Sequence, residues 1–130
     1  MHKISVKTSK KSEFIDVTDQ IQHLVSEQKM KRGYVLVYVP HTTAAVTINE
    51  GADPAVQEDI LRRLDKLVPA DEEYAHAEGN SDAHIKTSLL GSSEHIVVEE
   101  GKLQLGTWQH IFFFEGDGPR NRSVFVRLGQ

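Results

Sequence analysis

The stretch of the sequence best suited to chemistry runs from His76 to His84 and contains almost no apolar residue to bury. Gly79 and its polar neighbours argue against one continuous helix. We therefore predict a loop that leads into a short helix capped by Asn80 or by the serine after it. Both imidazoles would then lie beside carboxylates such as Asp82, an arrangement that can hold a metal ion or transfer protons. The alternative is a polar surface loop with two ordinary histidines.

A second polar cluster, His41-Thr42-Thr43, stands directly after an apolar run. Two adjacent hydroxyl groups could hydrogen-bond a phosphate, and the imidazole could serve as an acid, a base or a metal ligand. The alternative is a histidine at the rim of a strand whose threonines only favour extended backbone. Farther along, Glu50 could bind a cation or act as a base, whereas Asp53 is expected to cap the helix that follows it.

Two glycine-containing segments near the end of the sequence carry the remaining candidates. In the first, Trp108 could stack on a substrate ring, although a lone tryptophan at the start of a strand more often packs in a core. In the second, Arg120 and Arg122 could engage an anionic substrate, because guanidinium groups match the geometry of phosphate oxygens. The alternative there is an ordinary hairpin turn with solvated charges.

The candidate residues are compatible with two kinds of metal site. Imidazoles suit zinc or another transition metal, so His41, His76 and His84 could form a three-histidine site with one open position. A water molecule bound at that position would become a nucleophile for hydrolysis. Magnesium instead prefers one or two carboxylates together with phosphate oxygens, which makes Glu50 and Asp82 its candidate ligands. The residues alone leave the choice between these two metals open.

The elements that position these residues are expected to form a single domain spanning 1–130, because this length fits one compact unit. Helical spacing predicts one helix from Thr18 to about Gly33, a second after Asp53, and a short third one that carries His84. Apolar segments predict strands near 4–8, 14–17, 34–39, 44–48, 95–98, 108–115 and 123–128. Most strands follow one another as hairpins, which predicts an α+β fold with largely antiparallel sheets. We expect a barrel-like sandwich flanked by two or three helices.

Composition excludes several classes of function. A net charge of −4 argues against a broadly basic surface for nucleic acid. The absence of cysteine rules out disulfides, thiolate zinc sites and a cysteine nucleophile. No apolar stretch approaches the roughly 20 residues that cross a bilayer, and the first residues lack the apolar run of a signal peptide. We therefore expect a cytoplasmic protein that does not bind membranes.

Five motifs taken in order resemble one known family, the YjbQ-like family, often labelled secondary thiamine-phosphate synthase. The resemblance extends from about Ile4 to Leu128, nearly the whole chain. Its motifs are His41-Thr42-Thr43-Ala44-Ala45, Asn49-Glu50, His76 with Gly79-Asn80 and Ala83-His84, Gly106-Thr107-Trp108-Gln109, and Asp117-Gly118-Pro119-Arg120.

The resemblance implies an α+β fold that assembles as a homotrimer, with the motif residues in a cleft near subunit boundaries. It also implies a weak thiamine-phosphate synthase activity. That reaction joins a pyrimidine methyl diphosphate to a thiazole phosphate and releases pyrophosphate. A magnesium-dependent transfer of this kind is the reaction that the family label favours, whereas the three histidines favour metal-assisted hydrolysis.

We therefore predict a small-molecule enzyme that acts on phosphorylated substrates. The alternatives are a metal-dependent hydrolase with a three-histidine site and a non-catalytic module that binds a phosphorylated metabolite or a metal. The expected cofactor is a divalent metal, zinc or magnesium. The predicted catalytic residues are His41, Glu50 and His84; the predicted substrate contacts are Thr42, Thr43, Asn80, Lys86, Trp108, Gln109, Asp117 and Arg120; the predicted metal ligands are His41, His76 and His84.

Overall fold

The computed structural model describes residues 1–130, which form eight strands and three helices. None of the helices is both long enough and apolar enough to cross a bilayer. In chain order the elements are β1 (His2–Lys7), β2 (Glu13–Asp16), α1 (Thr18–Glu27), β3 (Arg32–Tyr38), β4 (Ala44–Glu50), α2 (Pro54–Leu67), α3 (Ser81–Leu90), β5 (Ser93–Glu99), β6 (Lys102–Leu103), β7 (Gln109–Glu115) and β8 (Asn121–Gly129).

The strands form two antiparallel sheets. One has five strands in the order β1-β8-β3-β5-β6, and the other has three in the order β2-β7-β4. Side chains alternate along each strand, so that Val35 and Val37 of β3 and Phe113 of β7 point into one shared apolar core. The predicted α+β class with antiparallel sheets flanked by helices is confirmed.

The residues predicted to start α2 do so in the structure. Asp53 occupies the N-cap position, its carboxylate accepts a hydrogen bond from the Ala55 amide at 3.0 Å, and Pro54 begins the helix. No residue of α2 is fully buried, although the helix carries an apolar stripe with the spacing of a core-facing helix, namely Val56, Ile60, Leu61, Leu64 and Leu67. By contrast, α1 buries Ile21 and Val25 completely against the sheets.

The prediction that Gly33 closes α1 is wrong, because α1 ends at Glu27 and Gly33 lies inside β3. Its φ of 141° suits glycine, and a Cβ placed there would meet the carbonyl oxygen of Gly129 at 2.1 Å. The glycine is therefore required by the close approach of β3 and β8, and a helix end is not the reason for it.

Candidate functional site

A buried ion pair lies where β4 begins opposite the end of β7. The guanidinium of Arg122 donates to both carboxylate oxygens of Glu115, at 2.9 and 2.5 Å, and to the Thr43 hydroxyl at 2.8 Å. The Thr8 hydroxyl donates to the same carboxylate at 2.8 Å. Glu115 and Arg122 are 0% and 5% exposed, so this network fixes the start of β4 from inside the protein.

The ionised form of Glu115 is stabilised in spite of its burial. Burial opposes the charge and by itself would raise the pKa of this carboxyl. The hydrogen bonds donated by Arg122, the Asp117 amide and Thr8 outweigh it, and the pKa of Glu115 is lowered from its ordinary value of 4.5. The carboxylate therefore acts as a fixed negative charge that holds Arg122.

His41 lies at the same end of the sheets and is anchored through one ring nitrogen. Its Nε2 accepts a hydrogen bond from the Ser123 amide at 3.0 Å. Burial is the main cause that lowers the pKa of His41 below 6.5, and the positive charge of Arg122 adds to it. Because Nε2 accepts a hydrogen bond, the ring is in its neutral form. The neighbouring Thr42 is exposed.

The turn after β7 brings α3 next to this loop. Asp117 accepts hydrogen bonds from the Arg120 guanidinium at 2.6 Å and from the Asn80 side-chain amide at 2.9 Å. A Cβ at Gly116 would lie 2.9 Å from the Thr43 carbonyl oxygen and 3.1 Å from the Ala83 side chain. The first turn of α3, the turn 116–120 and the loop 41–43 are therefore in direct contact.

Asn80 occupies the N-cap position of α3, as predicted, but its side chain does not cap the helix. Its amide nitrogen bonds Asp117 instead, and its Oδ1 is buried without a hydrogen-bond partner. The first turn of α3 therefore has no side-chain cap. Residues 80–83 are buried, and the positive end of the helix dipole lies close to Arg120, whose side chain is 50% exposed.

Lys86, predicted to contact the substrate, is buried between two carboxylates. Its side chain is 1% exposed, and its ammonium group lies 2.5 Å from Asp65 on α2 and 3.4 Å from Asp82. Lys11 contacts the same Asp82 carboxylate at 2.7 Å. Burial alone would raise the pKa of Asp82, but the two lysines hold it below the ordinary value. A substrate contact with Lys86 would have to displace one of its two carboxylates.

The predicted three-histidine site does not form within one chain. His76 and His84 do lie together, with ring centroids 5.3 Å apart and the rings edge to face. However, no group of three or more histidine, aspartate or glutamate side chains is placed to hold a metal ion. His41 has Nε2 committed to Ser123. The donor set of the single chain therefore does not fit the predicted metal centre.

The remaining motif residues lie at the opposite end of the β4–β7 pair, where Glu50 stands opposite Gln109. The side chain of Gln109 accepts a hydrogen bond from the Gly106 amide at 2.8 Å, and Trp108 is 62% exposed. The tryptophan is therefore free to stack on a ligand and does not belong to the core. β4, which is seven residues long, runs from the residue after Thr43 to this end, a span of roughly 20 Å.

Two residues absent from the predicted set form a hydrogen-bonded pair at this second end. Nδ1 of His110 lies 2.5 Å from Asp16, and the other oxygen of that carboxylate accepts the Thr18 amide at 2.9 Å. A Cβ at Gly51 would lie 2.1 Å from Cγ of His110, so the absence of a side chain there makes room for the ring. Nothing in the sequence links residues 16 and 110, which are brought together only by the pairing of β2 with β7.

Arg122, expected from the sequence to engage an anionic substrate, instead has its guanidinium bound to Glu115 and Thr43 inside the protein. The sequence did contain a signal for this buried pair. Glu115 shares a strand face with Ile111 and Phe113, and Arg122 shares one with Val124, all of them core positions. Two opposite charges at core positions of neighbouring predicted strands indicate a buried pair, because an unpaired charge there would be too costly.

Comparisons with known proteins agree with the resemblance seen in the motifs. The model of the UPF0047 protein YjbQ-like family matches residues 2–130. A UPF0047 protein of Methanocaldococcus jannaschii is 51% identical over 128 residues, which are 98% of this chain and 93% of that protein. The UPF0047 protein YugU of Bacillus subtilis is 47% identical over 126 residues, 96% of each chain.

Solved structures show the same similarity in three dimensions. The crystal structure of a YjbQ/UPF0047 family protein from Clostridium acetobutylicum has a TM-score of 0.97 at 53% identity, covering 98% of this chain and 99% of that one. A structure from Aeropyrum pernix has a TM-score of 0.94 at 39% identity, covering 99% and 98%. With the family model and these relatives matching nearly its full length, the chain belongs to the UPF0047 YjbQ-like family.

Proposed function

We propose that the protein is an enzyme acting on phosphorylated small molecules, and that its reaction is the thiamine-phosphate synthase transfer. The observation that carries this proposal is the meeting of Arg120, His41 and the uncapped first turn of α3 at one end of the sheets. A half-exposed guanidinium beside a helix N-terminus is suited to bind phosphate oxygens.

The transfer requires positive charge where pyrophosphate leaves, because negative charge develops on its oxygens as the bond to carbon breaks. Arg120, which Asp117 holds in place, and the positive end of the α3 dipole would supply that charge. Thr42 would orient a phosphate oxygen with its hydroxyl group, and His84 on α3 would act as proton donor or acceptor.

We also propose that the active unit is a homotrimer in which both ends of the β4–β7 pair contribute to one site. Within one chain, Glu50 and Trp108 lie roughly 20 Å along the sheet from Thr43, too far to contact one small ligand. A neighbouring copy would bring the two halves together. The apolar stripe of α2, which has no fully buried residue, is consistent with a surface that a partner covers.

A divalent cation would enter such a site together with the diphosphate, as magnesium usually does. The side chains of one chain do not form a metal centre on their own. The groups assigned here are therefore those of the chain itself, which bind and orient the phosphates and move protons.

The experiment is a turnover assay with the pyrimidine methyl diphosphate and the thiazole phosphate, measuring thiamine phosphate by chromatography in magnesium-containing buffer. Arg120→Gln should lower kcat by on the order of 10²-fold, because it removes a charge that stabilises the transition state. Arg62→Gln, which alters a surface arginine on α2, is the matched control and should leave the rate unchanged. Equal rates in the wild type and in Arg120→Gln would contradict the proposal.

A further inference from the structure

His41 occupies a position that a strand residue would otherwise fill. β3 ends at Tyr38, which pairs with Phe125, so Ser123 lies beyond the last residue pair between β3 and β8. The Ser123 amide therefore has no β3 carbonyl to bond, and it donates to Nε2 of His41 at 3.0 Å. The imidazole completes the ladder of hydrogen bonds at this edge of the sheet.

This bond determines which nitrogen of His41 carries the proton. A neutral imidazole has one donor and one acceptor nitrogen, and the acceptor here is Nε2. The proton is consequently on Nδ1, which makes no hydrogen bond to any group of the chain. The side chain is only partly buried, so Nδ1 is the one polar atom of the ring left for a ligand.

We infer that His41 is a neutral hydrogen-bond donor, which gives its Nδ1 proton to a phosphate oxygen of the ligand while Nε2 stays bonded to Ser123. The inference rests on the proposed function of the same site and deepens it by assigning the atom and the direction of the contact. It also replaces the expectation that His41 is a metal ligand or a base, because Nδ1–H can only donate. Coordination through Nε2 would require breaking the Ser123 bond.

The contact fits the charges around the ring. Arg120, Arg122 and Glu115 are all close enough to His41 to influence its ionisation. The charge of Arg122 is already paired with buried Glu115, so an anionic oxygen beside the ring would be attracted mainly by the half-exposed guanidinium of Arg120. A neutral donor adds a directed hydrogen bond to that attraction without adding a third positive charge.

The first measurement is the tautomer itself. Protein labelled with nitrogen-15 at histidine is examined by two-bond proton–nitrogen correlation at pH 8, and the His41 signals are assigned as those absent from His41→Asn. The expected result is a protonated Nδ1 and an unprotonated Nε2. The opposite tautomer, or rapid averaging between the two, would overturn the inference whatever the protein binds.

The second measurement uses inorganic pyrophosphate as the probe ligand and a matched pair of variants. The amide nitrogen of Asn lies close to the position of Nδ1, whereas that of Gln lies close to Nε2. His41→Asn should therefore keep most of the affinity for pyrophosphate by calorimetry, while His41→Gln should weaken it about tenfold, the effect of losing one hydrogen bond to a charged group. His23→Asn changes an exposed histidine of α1 and serves as control.

The two proposals fail in different ways. If the wild type binds no pyrophosphate, the proposed phosphate site is wrong, and with it the contact that His41 is said to make. If pyrophosphate binds but His41→Gln retains affinity and His41→Asn loses it, the site stands and the assigned atom is wrong. Equal affinity in all three proteins would show that His41 makes no contact with the phosphate.

Discussion

The two ends of the β4–β7 pair both carry an acidic residue bound to a basic one, yet the two pairs differ in nearly every respect. Glu115 and Arg122 are 0% and 5% exposed, and each has several hydrogen-bond partners. Asp16 and His110 are 40% and 37% exposed, and water reaches both. Distance alone does not distinguish the pairs, because the shortest contact is 2.5 Å in each.

Burial, and not contact length, therefore decides how much each acid–base contact contributes to stability. In the buried pair, removing one partner leaves the other charge unpaired and inaccessible to water, so the loss of stability is large. In the exposed pair, solvent replaces the lost partner at little cost. We therefore expect the Glu115 end to determine stability and to hold His41 and Thr43 in place, and the His110 end to tolerate change.

The largest effect is expected for Arg122→Ala. This change leaves the Glu115 carboxylate buried without its counter-charge, which should lower the free energy of unfolding by about 3–5 kcal/mol. Urea denaturation measures it, with Arg62→Ala, 70% exposed in the wild type, as the matched control. A loss below about 1 kcal/mol, the range of surface pairs, would remove the distinction between the two ends.

A second test uses pH. The pKa of Glu115 is lower in the folded protein than its ordinary value of 4.5, so its contribution to stability is fully present above that value. The contribution is lost as the pH falls through the lower folded-state pKa. Glu115→Gln should therefore be clearly less stable than the wild type at pH 7, and the difference should shrink toward pH 3. Chemical denaturation at pH 7, 5 and 3 measures it, and a constant difference would contradict the assignment.

Gly51→Ala tests the exposed end by a steric route. The added Cβ would lie 2.1 Å from the His110 ring, which has to move away from Asp16. A cost of about 1–3 kcal/mol is typical for such overpacking. His110→Ala should remove most of that cost, so the double variant should be more stable than the sum of the single effects predicts. Additive effects would show that the ring and Gly51 do not constrain each other.

The smallest effect is expected for Asp16→Asn. The side-chain oxygen of asparagine can still accept the Thr18 amide, so the substitution removes mainly the charge facing His110. Burial alone would raise the pKa of Asp16, but its bonds to Thr18 and His110 hold it below 3.8, so this contribution is present above pH 3.8 and lost in more acidic solution. Thermal denaturation should show a loss of under about 1 kcal/mol at pH 7.

Much of the fold follows from local patterns in the sequence. The apolar run before Pro40, the Asp53-Pro54 helix start and the final strand near 123–128 each depend on neighbours in the chain, and each is found as predicted. Gly33 shows where local patterns fail to predict the structure. Its neighbours in the chain suggested a helix end. A side chain is excluded there by the backbone of Gly129, which is 96 residues later in the sequence.

The candidate site was predictable in its residue types more than in its geometry. The loop 41–43, Asn80 and Arg120 do meet, as their motifs suggested. The sequence did not reveal that Glu50 and Trp108 stand at the far end of β4 and β7, because that depends on strand register. Nor did it reveal that Lys86 is buried between two carboxylates, since Asp65 comes from a different helix.

The order of strands has a consequence for the time at which the site can exist. β8, the last strand of the sequence, lies between β1 and β3, and it carries both Arg122 and Ser123. On the ribosome, β1 and β3 emerge long before β8, the strand that pairs with both. The five-stranded sheet therefore cannot assemble until β8 has been synthesised. Neither His41 nor Glu115 can acquire its final partner until synthesis has passed residue 123.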